Sequence, residues 1–283
     1  DDHYLTNVSW SPDGKYIYLA ELNRGQAHMQ LNCYNTKTGE KERTLFEETS
    51  ETYVEPLHPL HFSRVNENEF YYLSRRDGWF HLYKYHVSGR LLSQVTQGEW
   101  EVTRLLGFDS KEKVVFVEGT MESPLERHVY RVDIQKGNIL KLTNASGIHS
   151  GILSPEGKRL IVDFNGPSIP SRTTLVTAEG EEIRTLHLAE DPLEDFALGE
   201  NRLVSVEASD GQTSLTGRLI LPPDFDPSQK YPVVVYVYGG PHSQLVNKSW
   251  HHGARLWQYY MASQGFIAFT MDNRGTHYRG REF

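Results

Sequence analysis

The sequence predicts a mainly β fold, in which about four four-stranded propeller blades precede the first strands of a parallel α/β sheet. The first observation is a repeat: four segments each combine an apolar or aromatic residue, a short polar turn and a strand. They recur every ~45 to 52 residues, which is in the range of propeller blades. The second observation is a change from hairpins to a strand–helix–strand order, which places a domain boundary between residues 1–192 and 193–283.

Each repeat contains two hairpins, and two hairpins make a four-stranded blade. Strands such as His81–Val87 and His128–Ile134 alternate, which is typical of half-buried antiparallel strands. The alternative is a set of hairpin pairs in a β-sandwich, whose strands need not recur at a fixed period. The apolar residues that align the repeats are Trp10, Phe62, Phe108 and Leu153, and the turn glycines of the second hairpins are Gly39, Gly89, Gly137 and Gly180.

The last third of the chain alternates strands with a helix. Val233–Val237 is apolar or aromatic and strand-prone, which predicts a fully buried parallel strand that stops at Gly239–Pro241. A helix is predicted around Ala254–Gln264, and the glycine that follows it is a common helix terminator. The apolar segment Phe266–Met271 predicts a second strand, so the region reads as the start of a parallel α/β sheet.

Composition and charge exclude several classes of protein. The net charge of −8 argues against a nucleic-acid partner. The sequence contains no run of about 18 apolar residues, so it predicts no membrane-spanning helix. The one cysteine, Cys33, lies in an apparent strand, where burial as a small hydrophobic residue is expected.

Three motifs follow one another in the second half of the chain: Leu221–Pro227, Tyr231–Pro241 and Met271–Gly280. Their order after propeller blades resembles the prolyl oligopeptidase family of serine peptidases. Two blade segments, Tyr53–Phe62 and Gly98–Val102, are similar to the dipeptidyl peptidase IV branch of that family, in its bacterial form. The resemblance implies that the α/β part is the beginning of an α/β-hydrolase domain and that residues 1–192 are the C-terminal half of a propeller.

The resemblance also implies a function for the parent protein. The family cleaves peptides by acyl transfer, and this branch removes dipeptides with proline or alanine in second place from peptide N-termini. We expect peptide substrates, no cofactor, no metal, and a periplasmic or secreted location. The alternatives are a non-catalytic propeller scaffold with a degenerate hydrolase domain, or another branch of the family, such as an acylaminoacyl peptidase or an oligopeptidase.

The sequence departs from the family pattern in two respects. The nucleophile motif Gly-x-Ser-x-Gly is absent, and the family's catalytic Asp and His come later still. We therefore expect an inactive internal fragment, whose incomplete propeller is prone to self-association. The family's paired glutamates, which hold the substrate's amino end, belong to earlier blades. We interpret the adjacent pairs Glu47–Glu48 and Glu181–Glu182 as residues of solvated turns or loops.

Tyr238 is the candidate catalytic residue. It follows the predicted strand directly and precedes the glycines, and the tyrosine at this place in the family donates its hydroxyl to the oxyanion. A donor placed before the reaction stabilises the charge that develops on the carbonyl oxygen. The alternative is a tyrosine held in the core.

Glu55 is the candidate substrate-binding residue, because the related branch lines its substrate cleft with a loop from this region. A plain connecting loop is the alternative for Glu55. Asp272 and Arg274 follow the second predicted strand, and the resemblance suggests a structural or domain-interface role for them. The histidines of the α/β part, His242, His251, His252 and His277, lack the spacing of a zinc motif, so we assign them no metal.

Overall fold

The computed structural model describes residues 2–240 and 243–283 and contains five four-stranded sheets. Four of them follow one another along the chain, and each joins its strands in sequence order. The first contains β1 (His3–Trp10), β2 (Tyr16–Asn23), β3 (His28–Asn35) and β4 (Lys41–Thr49). The second contains β5 (His61–Phe62), β6 (Glu69–Ser74), β7 (His81–His86) and β8 (Leu91–Gln94).

The third and fourth sheets repeat this arrangement. The third contains β9 (Val102–Phe108), β10 (Val114–Gly119), β11 (His128–Asp133) and β12 (Ile139–Lys141). The fourth contains β13 (Ile148–Leu153), β14 (Arg159–Gly166), β15 (Ile169–Thr177) and β16 (Glu182–Leu188). Four successive four-stranded sheets confirm the prediction of about four propeller blades in a mainly β chain.

The sequence builds these sheets from alternating strands and left-handed turns. In β14, Leu160, Val162 and Phe164 are buried while the residues between them are exposed. Each such side chain contributes about 1.5–3 kcal/mol when it is fully buried. The second-hairpin glycines predicted from the sequence all have positive φ, from 70° at Gly137 to 93° at Gly89. A side chain is strained in that region, so these turns favour glycine.

The chain forms two compact units. The first consists of Asp1–Val117, Val132–Ile139 and Gly280–Glu282. Side chains of the first two sheets form its core. Within this core the Phe70 and Tyr85 rings stack with centroids 5.2 Å apart. Cys33 is fully buried there, as predicted. The second unit consists of Glu118–Arg131, Leu140–Arg279 and Phe283. The boundary at residues 192 and 193 stays a prediction.

The fifth sheet lies in the second unit and has the strand order β17–β18–β20–β19. Its strands are β17 (Asn201–Glu207), β18 (Ser214–Ile220), β19 (Val233–Tyr236) and β20 (Ile267–Met271). Between β19 and β20 the chain forms a short 3-10 helix (Trp250–Gly253) and the helix α1 (Leu256–Ser263). The pair β19–β20 is parallel, which confirms the predicted strand–helix–strand unit. Gly265, with φ +83°, follows the helix.

The prediction that Val233–Val237 is fully buried is wrong for this chain. Val233 and Val235 are 54% and 57% exposed. The exposed residues alternate along the strand, so one face of β19 is uncovered in the described part of the chain, where β19 is also the edge strand of its sheet. Among the described residues, no helix is both long and apolar enough to cross a membrane.

Candidate functional site

Tyr238 lies in the second unit, two residues beyond the carboxyl end of β19. Its side chain is 62% exposed, so the alternative of a core tyrosine does not describe it. The ring lies against the backbone of Gly240, where an added Cβ would be 2.5 Å from the ring carbon Cε1. Gly239 has φ +66°, a conformation that favours glycine. The two glycines therefore let the chain turn beneath an exposed phenol.

The loop after this turn is anchored to Asp272, which follows β20. The backbone N–H groups of Leu245 and Val246 donate to the two carboxylate oxygens of Asp272, at 2.8 and 2.9 Å. Burial raises the pKa of Asp272, and the two backbone donors oppose that shift. Ser243 Oγ donates to the Gly240 carbonyl at 3.0 Å and so ties the loop back to the turn. These bonds fit the structural role expected for Asp272.

Arg218, on β18, holds the same loop from another direction. Its side chain is only 1% exposed, and Nη1 donates to the carbonyls of Leu245 at 3.0 Å and His252 at 2.7 Å. Nη2 donates to Gln258 Oε1 at 2.8 Å. Burial lowers the pKa of Arg218 to about 10, so the guanidinium remains charged at neutral pH. The backbone of Leu245 is therefore held on both sides, through its N–H and through its carbonyl.

The other polar residues predicted in this region make further contacts that the structure describes for Arg274 and His251. Arg274 is exposed and pairs with Asp210 at 3.1 Å. His251 Nδ1 lies 2.7 Å from the Tyr259 hydroxyl, and burial lowers the pKa of both His251 and His252. Pro241 and His242 lie outside the described residues. In the ranges that the structure describes, no three His, Cys, Asp or Glu side chains form a metal-binding group.

Glu55 lies in the first unit, on the wall of a cavity of about 290 Å³ that we call the arginine cavity. Its side chain is 5% exposed and pairs with Arg75 Nη1 at 2.8 Å. Arg75 Nη2 lies 3.4 Å from Glu101, so two buried carboxylates share one guanidinium. The cavity is lined by Glu47, Glu48, Thr49, Tyr53, Val54, Glu55, Arg75, Arg76 and Arg281.

The ion pair of Arg76 corrects the prediction made for Glu48. Glu48 is on β4 and not in a solvated turn; it accepts from Arg76 at 2.6 Å and from Ser74 Oγ at 2.5 Å. The Arg76 guanidinium lies 4.8 Å from the centre of the Tyr83 ring, which adds a cation–π contact. Glu47 is also on β4, exposed, and contacts His28 at 2.8 Å.

Sequence reasoning missed Arg281, which belongs to a segment about two hundred residues away from the hairpin that it joins. Its backbone N–H donates to the Gly78 carbonyl at 2.8 Å, and its Nη2 donates to the Arg75 carbonyl at 2.8 Å. Gly280 donates to Glu101 Oε1 at 3.2 Å and lies so close to Trp79 that a Cβ would be 2.9 Å from the indole. The only signal in the sequence was the basic Arg279–Arg281 segment, which begins in the third motif and ends one residue beyond it.

Comparisons with known proteins agree on one family. Residues 1–171 match the family described as the N-terminal region of dipeptidyl peptidase IV. A dipeptidyl peptidase 4 of Arthroderma otae is 31% identical over 297 residues, which cover 100% of this chain and 38% of the relative. The chain thus spans roughly two-fifths of the length of such relatives.

Solved structures show the same relationship. A protein from Bacteroides ovatus, crystallised as a candidate dipeptidyl aminopeptidase IV, superposes on this chain with a TM-score of 0.93 at 38% sequence identity. The superposition covers 99% of this chain and 43% of the Bacteroides protein. The dipeptidyl peptidase 4 of Porphyromonas gingivalis superposes with a TM-score of 0.89 at 28% sequence identity, over 99% of this chain and 40% of the Porphyromonas protein. The resemblance drawn from the motifs is confirmed: the chain belongs to the dipeptidyl peptidase IV family.

Proposed function

We propose that the full-length protein is a serine-type dipeptidyl peptidase, which removes dipeptides with proline or alanine in second place from peptide N-termini. The observation that carries the proposal is the family match along the chain, joined to an exposed tyrosine at the carboxyl end of β19. Ligands of open α/β sheets bind at the carboxyl ends of the strands. Tyr238 therefore has a position from which a bound peptide can be reached.

The proposed role of Tyr238 is to stabilise the oxyanion. When a nucleophile attacks the scissile carbonyl, its oxygen becomes negatively charged, and a hydroxyl that is already in place donates a hydrogen bond to that oxygen. One such donor contributes about 2.7–4 kcal/mol to transition-state stabilisation. The buried bonds of Asp272 and Arg218 reduce the freedom of the adjoining loop, so less reorganisation is needed when charge develops.

The proposed role of Glu55 is to face a bound peptide from the wall of the arginine cavity. Two carboxylates, those of Glu55 and Glu101, share the guanidinium of Arg75, so the wall carries excess negative charge at this point. A backbone N–H or an ammonium group of a peptide complements such a wall. The ion pair with Arg75 keeps the carboxylate in one orientation, which favours a directed contact.

The test is hydrolysis of Gly-Pro-p-nitroanilide by the full-length protein. We expect turnover that a serine-directed inhibitor abolishes, and none with the same substrate blocked at its amino end. Cleavage of the blocked substrate would instead identify an acylaminoacyl peptidase or an endo-acting enzyme, and no turnover of either would favour a scaffold. The 283-residue chain serves as a control that we expect to be inactive, because it contains no Gly-x-Ser-x-Gly.

We further propose a periplasmic or secreted location, which the single buried cysteine permits, and self-association of this chain through uncovered strand edges. Strand β19 supports the second proposal, since its outer edge is unpaired in the described part and Val233 and Val235 are exposed. Such edges pair readily with other chains. Recovery of the native protein in a cytosolic fraction would contradict the proposed location.

A further inference from the structure

Two of the three arginines that line the arginine cavity form ion pairs with glutamates. Arg75 is paired with Glu55 and Glu101, and Arg76 with Glu48. Arg281 differs from these two arginines, because no carboxylate of the described residues contacts its guanidinium. Its one side-chain bond is from Nη2 to the Arg75 carbonyl. The cavity thus has one arginine that makes no ion pair within the described residues.

The position of Arg281 is fixed by its surroundings. Its own N–H bonds to Gly78, and the preceding residue, Gly280, bonds to the buried Glu101 and lies flat on Trp79. These contacts hold the segment on the hairpin that also carries Arg75. The bond from Nη2 restrains the head group and leaves most of its five N–H donors available. An arginine held in this way loses less conformational freedom on binding than a free surface arginine.

We infer that Arg281 binds a carboxylate group of the peptide and gives the protein a preference for acidic peptides; this inference rests on the proposed peptidase function. A guanidinium recognises a carboxylate through two parallel N–H···O bonds, which neither a hydroxyl nor a neutral amide reproduces. Arg75 and Arg76 do not compete for the ligand, because their charges are matched by glutamates. The carboxylate comes either from an aspartate or glutamate side chain or from the peptide's C-terminus.

The test measures binding, so that it does not depend on catalysis. Non-cleavable peptides with glutamate or glutamine at the third to sixth position in turn, and with a free or amidated C-terminus, are titrated into the full-length protein by calorimetry. We expect one acidic form to bind about 3- to 10-fold more tightly than its neutral partner, as for a partly exposed ion pair. This ratio should fall as the salt concentration rises.

Three variants assign the effect. Arg281→Gln should remove the acidic preference, and Arg281→Lys, which keeps the charge without the fork, should retain part of it. Arg24→Gln removes an exposed arginine whose guanidinium lies over the Tyr4 ring, and it should keep the full preference. A preference in the glutamate–glutamine pairs identifies a side-chain carboxylate, whereas a preference in the acid–amide pair identifies the C-terminus.

Several results would overturn the inference: equal binding of acidic and neutral peptides at every position, no measurable binding of any acidic peptide, or a preference that survives Arg281→Gln with an unchanged melting temperature. Failure of the proposed function has a different signature. If the proposed function is wrong, the wild-type protein does not hydrolyse Gly-Pro-p-nitroanilide. If only the inference about Arg281 is wrong, the wild type still hydrolyses that substrate but shows no preference for acidic peptides.

Discussion

Replacing Tyr238 by phenylalanine in the full-length protein removes one hydroxyl and leaves the ring in place against Gly240. The structure separates two consequences. The side chain is 62% exposed and its hydroxyl has no hydrogen-bond partner in residues 2–240 and 243–283, so the free energy of unfolding should change by less than about 0.5 kcal/mol. If the hydroxyl donates to an oxyanion, kcat should fall by about 10²–10³, with little change in KM.

The assay is steady-state hydrolysis of Gly-Pro-p-nitroanilide, with thermal melting of the same preparations. Tyr260→Phe is the matched control, since that tyrosine is 65% exposed on α1, and it should leave both kcat and the melting temperature unchanged. A Tyr238→Phe enzyme with near-normal kcat would refute the oxyanion role, whatever its stability. A lowered melting temperature with normal kcat would show instead that the hydroxyl has a structural partner.

Three further outcomes are expected. Gly240→Ala places a Cβ 2.5 Å from the Tyr238 ring and should lower kcat by displacing that ring. Gly25→Ala is the control, because its Cβ meets nothing within 3.8 Å, and it should leave kcat unchanged. Equal kcat values for the two variants would contradict the proposed geometry. Burial lowers the pKa of His149 to about 4, so the unfolded chain takes up a proton first as pH falls below about 6.5. Stability should therefore decline between pH 6.5 and 4, and chemical denaturation should show a smaller decline in His149→Phe but not in exposed His187→Gln. The isolated 283-residue chain should show a mass above one chain by light scattering as its concentration rises, and a monomer throughout would contradict association through strand edges.

The blades could be predicted from the sequence because their determinants are local. Alternation along β14 and glycine in the second-hairpin turns act over a few residues, and the positive φ values at Gly39 and Gly180 follow directly from that chemistry. The unit of β19, α1 and β20 was also predicted, since an apolar strand, a helix ended by glycine and another apolar strand leave few arrangements. Because these local signals recur along the chain, they were enough to predict the fold class.

Burial and charge pairing could not be predicted, because they depend on neighbours that are distant in sequence. The exposure of Val235 reflects an uncovered face of the sheet, which the composition of β19 does not reveal. The sequence predicted a solvated Glu48, but in the fold the turn after β6 places Arg76 Nη2 2.6 Å from the Glu48 carboxylate. Arg281 reaches the arginine cavity across some two hundred residues of chain. The role of Glu55 stays a prediction, although its place on a cavity wall is now known.

The two candidate sites share a division between buried groups that hold the backbone and exposed groups that can meet a ligand. Asp272 and Arg218 satisfy backbone groups beside the Tyr238 turn, while Glu101 and Arg75 bond to the segment that carries Arg281. Removing a partner from a buried charged network leaves the other uncompensated, which costs about 3–5 kcal/mol for an ion pair. Substitutions in the buried groups should therefore act first on stability. The exposed Tyr238 and Arg281 have few contacts to lose, so effects of their substitution on turnover or binding can be attributed to the ligand.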